Sequence, residues 1–314
     1  MKRAFVFPGQ GSQTVGMGRV LAATFAPARQ VFEEVDDALS QNLSRLMFEG
    51  PESELTLTEN AQPALLAASL AVIHVLEAEG GFALTRSAVF VAGHSLGEYS
   101  ALAAAGTFTI ADGARLLRLR GQAMQEAVPV GEGAMAALLG LDVVQGQAVA
   151  AEAAGPDQVC ALANDNAPGQ VVVSGHRRAV ERAIAIARVN GARRSIALPV
   201  SAPFHSPLMA PAAEIMAEAL DRVALQPPAV PLVANVSGAA TRDPARIKRG
   251  LVEQVTAMVR WRESMLFLKQ DGVEEVVEIG TGRVLTGLAK RIDPDLSARS
   301  VGSTAEVERL IKEL

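Results

Sequence analysis

Five residues, Gly93-His94-Ser95-Leu96-Gly97, constrain this chain more than any other feature. They follow the compact apolar run Ala88-Val89-Phe90-Val91-Ala92, which reads as a strand buried on both faces. They precede a stretch from Leu96 to Ala105 that reads as a helix. A buried strand turning into a helix through G-x-S-x-G presents the serine hydroxyl at the end of a sheet. The two glycines let the strained turn form and let the helix pack closely. An ordinary turn with a serine N-cap would not need glycine on both sides. Ser95 is therefore the candidate nucleophile, and the helix start beside it offers free N–H groups to a developing oxyanion.

Strand and helix signals alternate around this turn. Arg3 to Phe7 is a short apolar strand, and Pro63 to Glu79 carries Ala and Leu at helical spacing. The pattern implies an α/β fold with a hydrolase-like core and a mostly parallel sheet. From Gly131 the order changes to β-α-β-β-α-β: strands at Ala134 to Leu139, Gln158 to Ala163, Gln170 to Ser174 and Arg194 to Pro199, with helices at Asp142 to Ala154 and Arg177 to Asn190. That order is ferredoxin-like. In this reading Asn164 to Gly169 is the loop between the second and third strands. The expected organisation is a large domain, 1–127 and 199–314, carrying the nucleophile, and an inserted small domain, 128–198.

Composition narrows the function classes. Of 314 residues 49% are hydrophobic, enough for a sizeable core, and the formal net charge of -5 argues against a nucleic-acid partner. Two basic residues and a short apolar run open the chain, but Pro8 and Gly9 end it too early for a signal peptide. No apolar stretch is expected to approach the ~20 residues that cross a bilayer. Cys160 is the only cysteine, which excludes an intrachain disulfide and a cysteine metal cluster. A cytoplasmic protein without a membrane segment is the expectation.

A serine hydroxyl needs a base, and only four histidines exist. His74 lies in the apolar run Ala71 to Leu76 and reads as a structural helix residue. His94 adjoins Ser95, so their side chains diverge, and it is expected to support the turn. His176 opens a helix of the small domain. His205 lies in the Pro-bracketed loop Val200-Ser201-Ala202-Pro203-Phe204-His205-Ser206-Pro207, where the small domain rejoins the large one. Junction loops often supply catalytic side chains, so His205 is the candidate base. No acid is placed to orient it, and a backbone carbonyl or an amide is expected instead.

Arg120 sits at helical spacing from Leu116, Leu117 and Met124, amid the apolar face of its helix. A buried charge without a partner costs ~3–5 kcal/mol, so Arg120 should meet an anion. Two readings stay open: an internal salt bridge or snorkelling stem, and a fork that grips a substrate carboxylate. The loop Gly9-Gln10-Gly11-Ser12-Gln13 lacks the third glycine of a dinucleotide motif and the Gly-Lys-Ser/Thr of a phosphate loop. Its better use is to turn the Gln10 backbone N–H toward Ser95, opposite the N–H of Leu96, as an oxyanion hole.

These segments together resemble the malonyl-CoA:acyl carrier protein transacylases of bacterial fatty-acid synthesis. The resemblance runs through Phe5 to Gln13, Gly93 to Ser100, Leu119-Arg120-Gly121, Asn166 to Gln170, Ser201 to Ser206 and Gly280 to Leu285. It implies Ser95 as acylated nucleophile, His205 as base, Arg120 on the malonyl carboxylate, and Gln10 and Leu96 as oxyanion donors. It also implies that the backbone carbonyl of Gln254 orients His205. Malonyl-CoA and acyl carrier protein would be the partners, with no resident cofactor or metal, and a monomer would be the working unit. Part of the surface carrying Arg177, Arg178, Arg182, Arg188, Arg193 and Arg194 would steer an acidic carrier, and a solvated helix face is the alternative. Ala257-Met258 and Thr281 depart from the family's usual Ser-Pro and Pro. The rivals are a serine hydrolase, a malonyl-transferring component of another pathway, and a scaffold that only binds carrier.

Overall fold

The computed structural model describes residues 1–313. In chain order its strands are β1 (Arg3–Phe7), β2 (Phe90–Gly93), β3 (Gly133–Leu139), β4 (Cys160–Ala167), β5 (Gln170–His176), β6 (Arg194–Ala197), β7 (Leu232–Val233), β8 (Ala240–Thr241), β9 (Glu275–Ile279) and β10 (Ser297–Val301). Six of them form a sheet in the order β10-β9-β1-β2-β7-β8, parallel throughout except where β8 returns against β7. The other four form an antiparallel sheet in the order β4-β5-β3-β6. That is the ferredoxin-like arrangement, with helices Val143–Ala154 and Arg177–Val189 as its connections. The α/β fold with a mostly parallel sheet is thus the one the sequence implies.

The apolar run of β1 follows from burial on both faces. Phe5 and Phe7 pack into the main core, whereas Ala4 and Val6 face a second cluster with Trp261, Met265 and Leu285. The small sheet is also two-faced. Ala136, Leu138, Val171 and Val173 pack against its two helices, and Met135, Ala137 and Val172 join the main core. One wall of the small sheet is therefore part of the large body.

Two expectations need correction. Asn164 to Ala167 is strand rather than loop, and only Pro168 and Gly169 turn. Register shifts after Leu162 and Asp165 disguise it, and tertiary contacts hold it. Asn164 bridges to Val259, and buried Asp165 accepts from Arg262 at 2.8 Å. Second, helix Thr58–Gly80 is 23 residues long and apolar enough to cross a membrane by length and composition, although it is mostly buried inside the protein. Arg182, one of the arginines expected to steer a carrier, is exposed and also braces the small domain. It donates to the Ala153 carbonyl at 2.6 Å and to Gln158 Oε1 at 2.8 Å, tying its helix to the neighbouring one.

Candidate active site

The parallel pairing of β1 with β2 brings their carboxyl ends together, so the loop from Pro8 and the turn from Gly93 share one edge of the sheet. Ser95 has φ 53°, the left-handed conformation that a non-glycine residue adopts only under constraint. Gly93 and Gly97 make the constraint possible. A Cβ on Gly93 would lie 1.9 Å from the Gly97 carbonyl, and one on Gly97 would lie 2.2 Å from the Phe7 carbonyl oxygen. Asn235, just beyond β7, clasps the turn from the side. Its Oδ1 accepts the Ser95 N–H at 2.7 Å and its Nδ2 donates to the Gly93 carbonyl at 2.7 Å.

His205 is 4% exposed and also has positive φ, 56°. Ser206 steadies its loop by donating from Oγ to the Pro203 carbonyl at 2.8 Å. The Nδ1–H of His205 donates to the backbone carbonyl of Gln254 at 2.8 Å, leaving Nε2 as an acceptor 2.8 Å from Ser95 Oγ. Burial, with the nearby Arg120 charge, pushes the imidazolium pKa down to about 3. The ring is therefore neutral at physiological pH, with its lone pair on the serine hydroxyl. This geometry can draw a proton from Ser95 as its oxygen attacks an acyl carbon.

Arg120 projects from helix Ile110–Glu126, whose start is capped by Thr109 accepting the Asp112 N–H at 3.0 Å. The helix lies close against the start of Thr58–Gly80, because a Cβ on Gly121 would sit 2.5 Å from the Glu59 Cα. Arg120 is 1% exposed, so it does not snorkel. Nor does any carboxylate form an ion pair with it among the described residues. It donates to Gln62 Oε1 at 2.8 Å, to Gln254 Oε1 at 2.8 Å and to Ser95 Oγ at 3.2 Å, and its Nε has no partner. Its guanidinium lies 5.8 Å from the centre of the Tyr99 ring. Both internal readings of this arginine thus fail, and a charged fork remains beside the serine.

These groups meet in a cavity of about 290 Å³ lined by Gln10, Gln62, His94, Ser95, Arg120 and His205, with Met135 and Val172 from the small sheet and Phe204 from the junction loop. Gln10 is tethered through Oε1, which accepts from Thr58 Oγ1 at 3.1 Å. Neither the Gln10 N–H nor the Leu96 N–H donates to an acceptor among the described residues. The Leu96 side chain is in the core, at the start of helix Gly97–Ala104. His94 turns away from Ser95. Its Nε2 lies 2.9 Å from Asn166 Oδ1 of β4, and burial lowers its pKa against that hydrogen bond.

Sequence reasoning missed Gln62, Asn235 and Glu98. Glu98 is 2% exposed, and its Oε2 accepts from the Gln254 amide and from the Asn235 N–H at 3.4 Å. Burial pushes its carboxyl up to about 7 against those hydrogen bonds and the Arg120 charge. An acid directly after Gly97, within an otherwise apolar stretch, was the available signal. Gln62 lies among the polar residues Thr58, Glu59 and Asn60 that open its helix, and nothing there separates it from an ordinary helix start. Asn235 has no sequence neighbour that points to it.

Comparison with known proteins agrees over the whole chain. Residues 4–308 match the family model described as an acyl transferase domain. A malonyl CoA-acyl carrier protein transacylase of Bacillus subtilis (strain 168) is 46% identical over 313 residues, covering 100% of this chain and 97% of that protein. The crystal structure of an acyl-carrier-protein-S-malonyltransferase from Bartonella henselae superposes with a TM-score of 0.97 at 55% identity, covering 100% and 99%. A malonyl-transacylase solved in complex with its type II PKS acyl-carrier protein gives 0.96 at 44% identity, covering 100% of both chains. With family model, full-length relatives and fold in agreement, this chain is an acyltransferase and belongs to the malonyl CoA-acyl carrier protein transacylases.

Proposed function

We propose that this protein moves a malonyl group from malonyl-CoA to the phosphopantetheine thiol of an acyl carrier protein, through a malonyl ester on Ser95. Buried Arg120, without a carboxylate of its own beside Ser95, is the observation that carries the reading. A malonyl thioester has a free carboxylate a few bonds from its reactive carbonyl, which suits a guanidinium fork set next to the nucleophile. The relatives' names supply the donor and acceptor, and one relative was solved with its carrier.

In the first half-reaction His205 Nε2 takes the Ser95 proton as Oγ bonds to the thioester carbon. The Gln10 and Leu96 N–H groups stabilise the resulting oxyanion, each worth ~3–4 kcal/mol in such sites. As the carbon–sulfur bond breaks, the proton passes from His205 to the coenzyme A sulfur. In the second half the carrier thiol loses its proton to His205 and attacks the ester, and Ser95 leaves with that proton. The sequence is ping-pong, and its steps need no group beyond these residues and the two thiols. The Gln254 carbonyl keeps the imidazole in the working tautomer, the task an acid performs in a triad. Such a protein would work in the cytoplasm.

Carrier-free incubation with malonyl-CoA, followed by intact mass, tests the reading. The wild type should gain one malonyl group and Ser95→Ala none. Arg120→Ala should lose about ten- to a hundredfold in malonyl loading, the worth of a charged hydrogen bond, while acetyl loading changes little. Equal loading of acetyl and malonyl by the wild type, or steady hydrolysis of malonyl-CoA, would overturn it in favour of a general acyltransferase or a hydrolase.

A further inference from the structure

Gln254 has three tasks in one residue. Its backbone carbonyl holds His205, its Oε1 accepts from Arg120 at 2.8 Å, and its Nε2 approaches the Ser95 carbonyl at 3.1 Å and Glu98 Oε2. An amide has two ends of nearly the same shape, and its neighbours choose which end faces where. The arginine can only donate, so it requires Oε1. The opposite end must then meet acceptors. Glu98 supplies one from beneath the nucleophile, and the same carboxyl oxygen also accepts the N–H of Asn235, which clasps Ser95 and Gly93.

We propose that Glu98 is a positioning residue for this reaction: by accepting from both Gln254 and Asn235 it fixes the Arg120 fork, the His205 support and the Ser95 turn in one arrangement. The proposal rests on the malonyl-transfer reading of the site and deepens it.

The alternative, a carboxylate merely placed at a helix start, does not fit the hydrogen bonds. Glu98 lies in the first turn of Gly97–Ala104, yet the N–H groups of Gly97, Glu98 and Tyr99 already donate to the carbonyls of His94, Ser95 and Leu96. Its side chain is directed instead at two residues more than 130 positions away along the chain. A carboxyl that is 2% exposed, with no lysine or arginine ion pair among the described residues, is costly to keep. Its raised pKa, from burial, marks the same cost. The requirement is for an acceptor at this point, which a neutral amide also provides.

The test separates acceptor from charge and from packing. Rates of carrier-free Ser95 loading are measured against malonyl-CoA and acetyl-CoA concentration for wild type, Arg120→Ala, Glu98→Gln and Glu98→Met. Methionine keeps the shape and removes the acceptor, whereas glutamine keeps the acceptor and removes the charge. Glu98→Met should lower the maximal malonyl loading rate by at least about tenfold, the scale of one lost buried hydrogen bond. Its preference for malonyl over acetyl should fall toward that of Arg120→Ala. Glu98→Gln should restore most of both. A folded Glu98→Met enzyme with wild-type rate and preference would overturn the proposal, and so would Glu98→Gln being as impaired as Glu98→Met. If Glu98→Met does not fold, Gln254→Met decides, because it keeps the His205 carbonyl and removes the amide. Wild-type malonyl preference in that variant would overturn the proposal that Glu98 acts through Gln254. A wild type that fails to load malonyl at all would sink the proposed function instead, so the two failures are distinct.

Discussion

At the scale of single residues, the site works by withholding partners. His205 is neutral because burial and Arg120 disfavour its cation, so its lone pair is free well below the usual histidine pKa of 6.5. We predict that carrier-free malonylation of Ser95, followed by rapid quench across pH, shows no acidic limb at 6.5, with loss of activity only at lower pH. A limb centred on 6.5 that His205 alone explains would contradict the buried, neutral imidazole. Arg120 follows the same logic. Its Gln62 and Gln254 acceptors orient the fork without neutralising it, so the charge stays available to a ligand. Arg120→Lys should restore little malonyl preference, because an ammonium cannot reproduce the fork held between two amide oxygens. Comparing malonyl and acetyl loading rates for the lysine and alanine variants checks this.

At the scale of elements, the nucleophile turn depends on two backbones touching. Gly97→Ala would drive a methyl group to 2.2 Å from the Phe7 carbonyl oxygen, so β1 and the helix after Ser95 would have to separate. The expected loss is about 3 kcal/mol or more of stability, or failure to fold, read from denaturant midpoints. Gly287→Ala is the contrast. Gly287 is an exposed residue in helix Val284–Ile292 with open space at its Cβ, and alanine there should add about 0.5–1 kcal/mol. The same distinction explains what the sequence could reveal. Strand, turn and helix around Ser95 are local, so the five-residue turn and its two flanks sufficed to read them. The burial of Arg120 was legible from helical spacing, but the absence of a salt-bridge partner was not, since every candidate partner is remote in sequence. Asn164 to Ala167 read as a loop because asparagine and aspartate are poor strand formers. What makes them strand is Val259 and Arg262, nearly a hundred residues later. Asn235 meets Ser95 across 140 positions, and no spacing rule reaches that far.

At the scale of the whole molecule, two buried groups titrate in opposite senses. His205 is held below its ordinary value, so protons favour the unfolded chain, and stability falls as pH drops below 6.5. Glu98 is raised from 4.5 to about 7, so protons favour the folded protein, and its contribution is lost as pH rises toward 7. Between pH 4.5 and 6.5 the unfolded chain carries the proton on histidine and the folded protein carries it on glutamate. The two slopes cancel there. Glu98→Gln removes one of them and should make stability fall on acidification by up to about 1.4 kcal/mol per pH unit relative to wild type. Urea midpoints at several pH values would show it, and parallel curves for the two proteins would refute the opposed titration.

The uncompensated guanidinium has a further consequence for the resting state of the enzyme. An empty site keeps a desolvated cation with neutral partners only, two amides and the Ser95 hydroxyl, whereas a malonyl ester on Ser95 brings it a counter-ion. The loaded protein is then the more robust species, and occupancy acts as a chaperone for the fold. Thermal unfolding of free, malonylated and acetylated protein should rank malonyl highest, with acetyl close to free. An enzyme built this way is most durable while it waits, charged, for its acceptor, and most fragile in the interval after delivery.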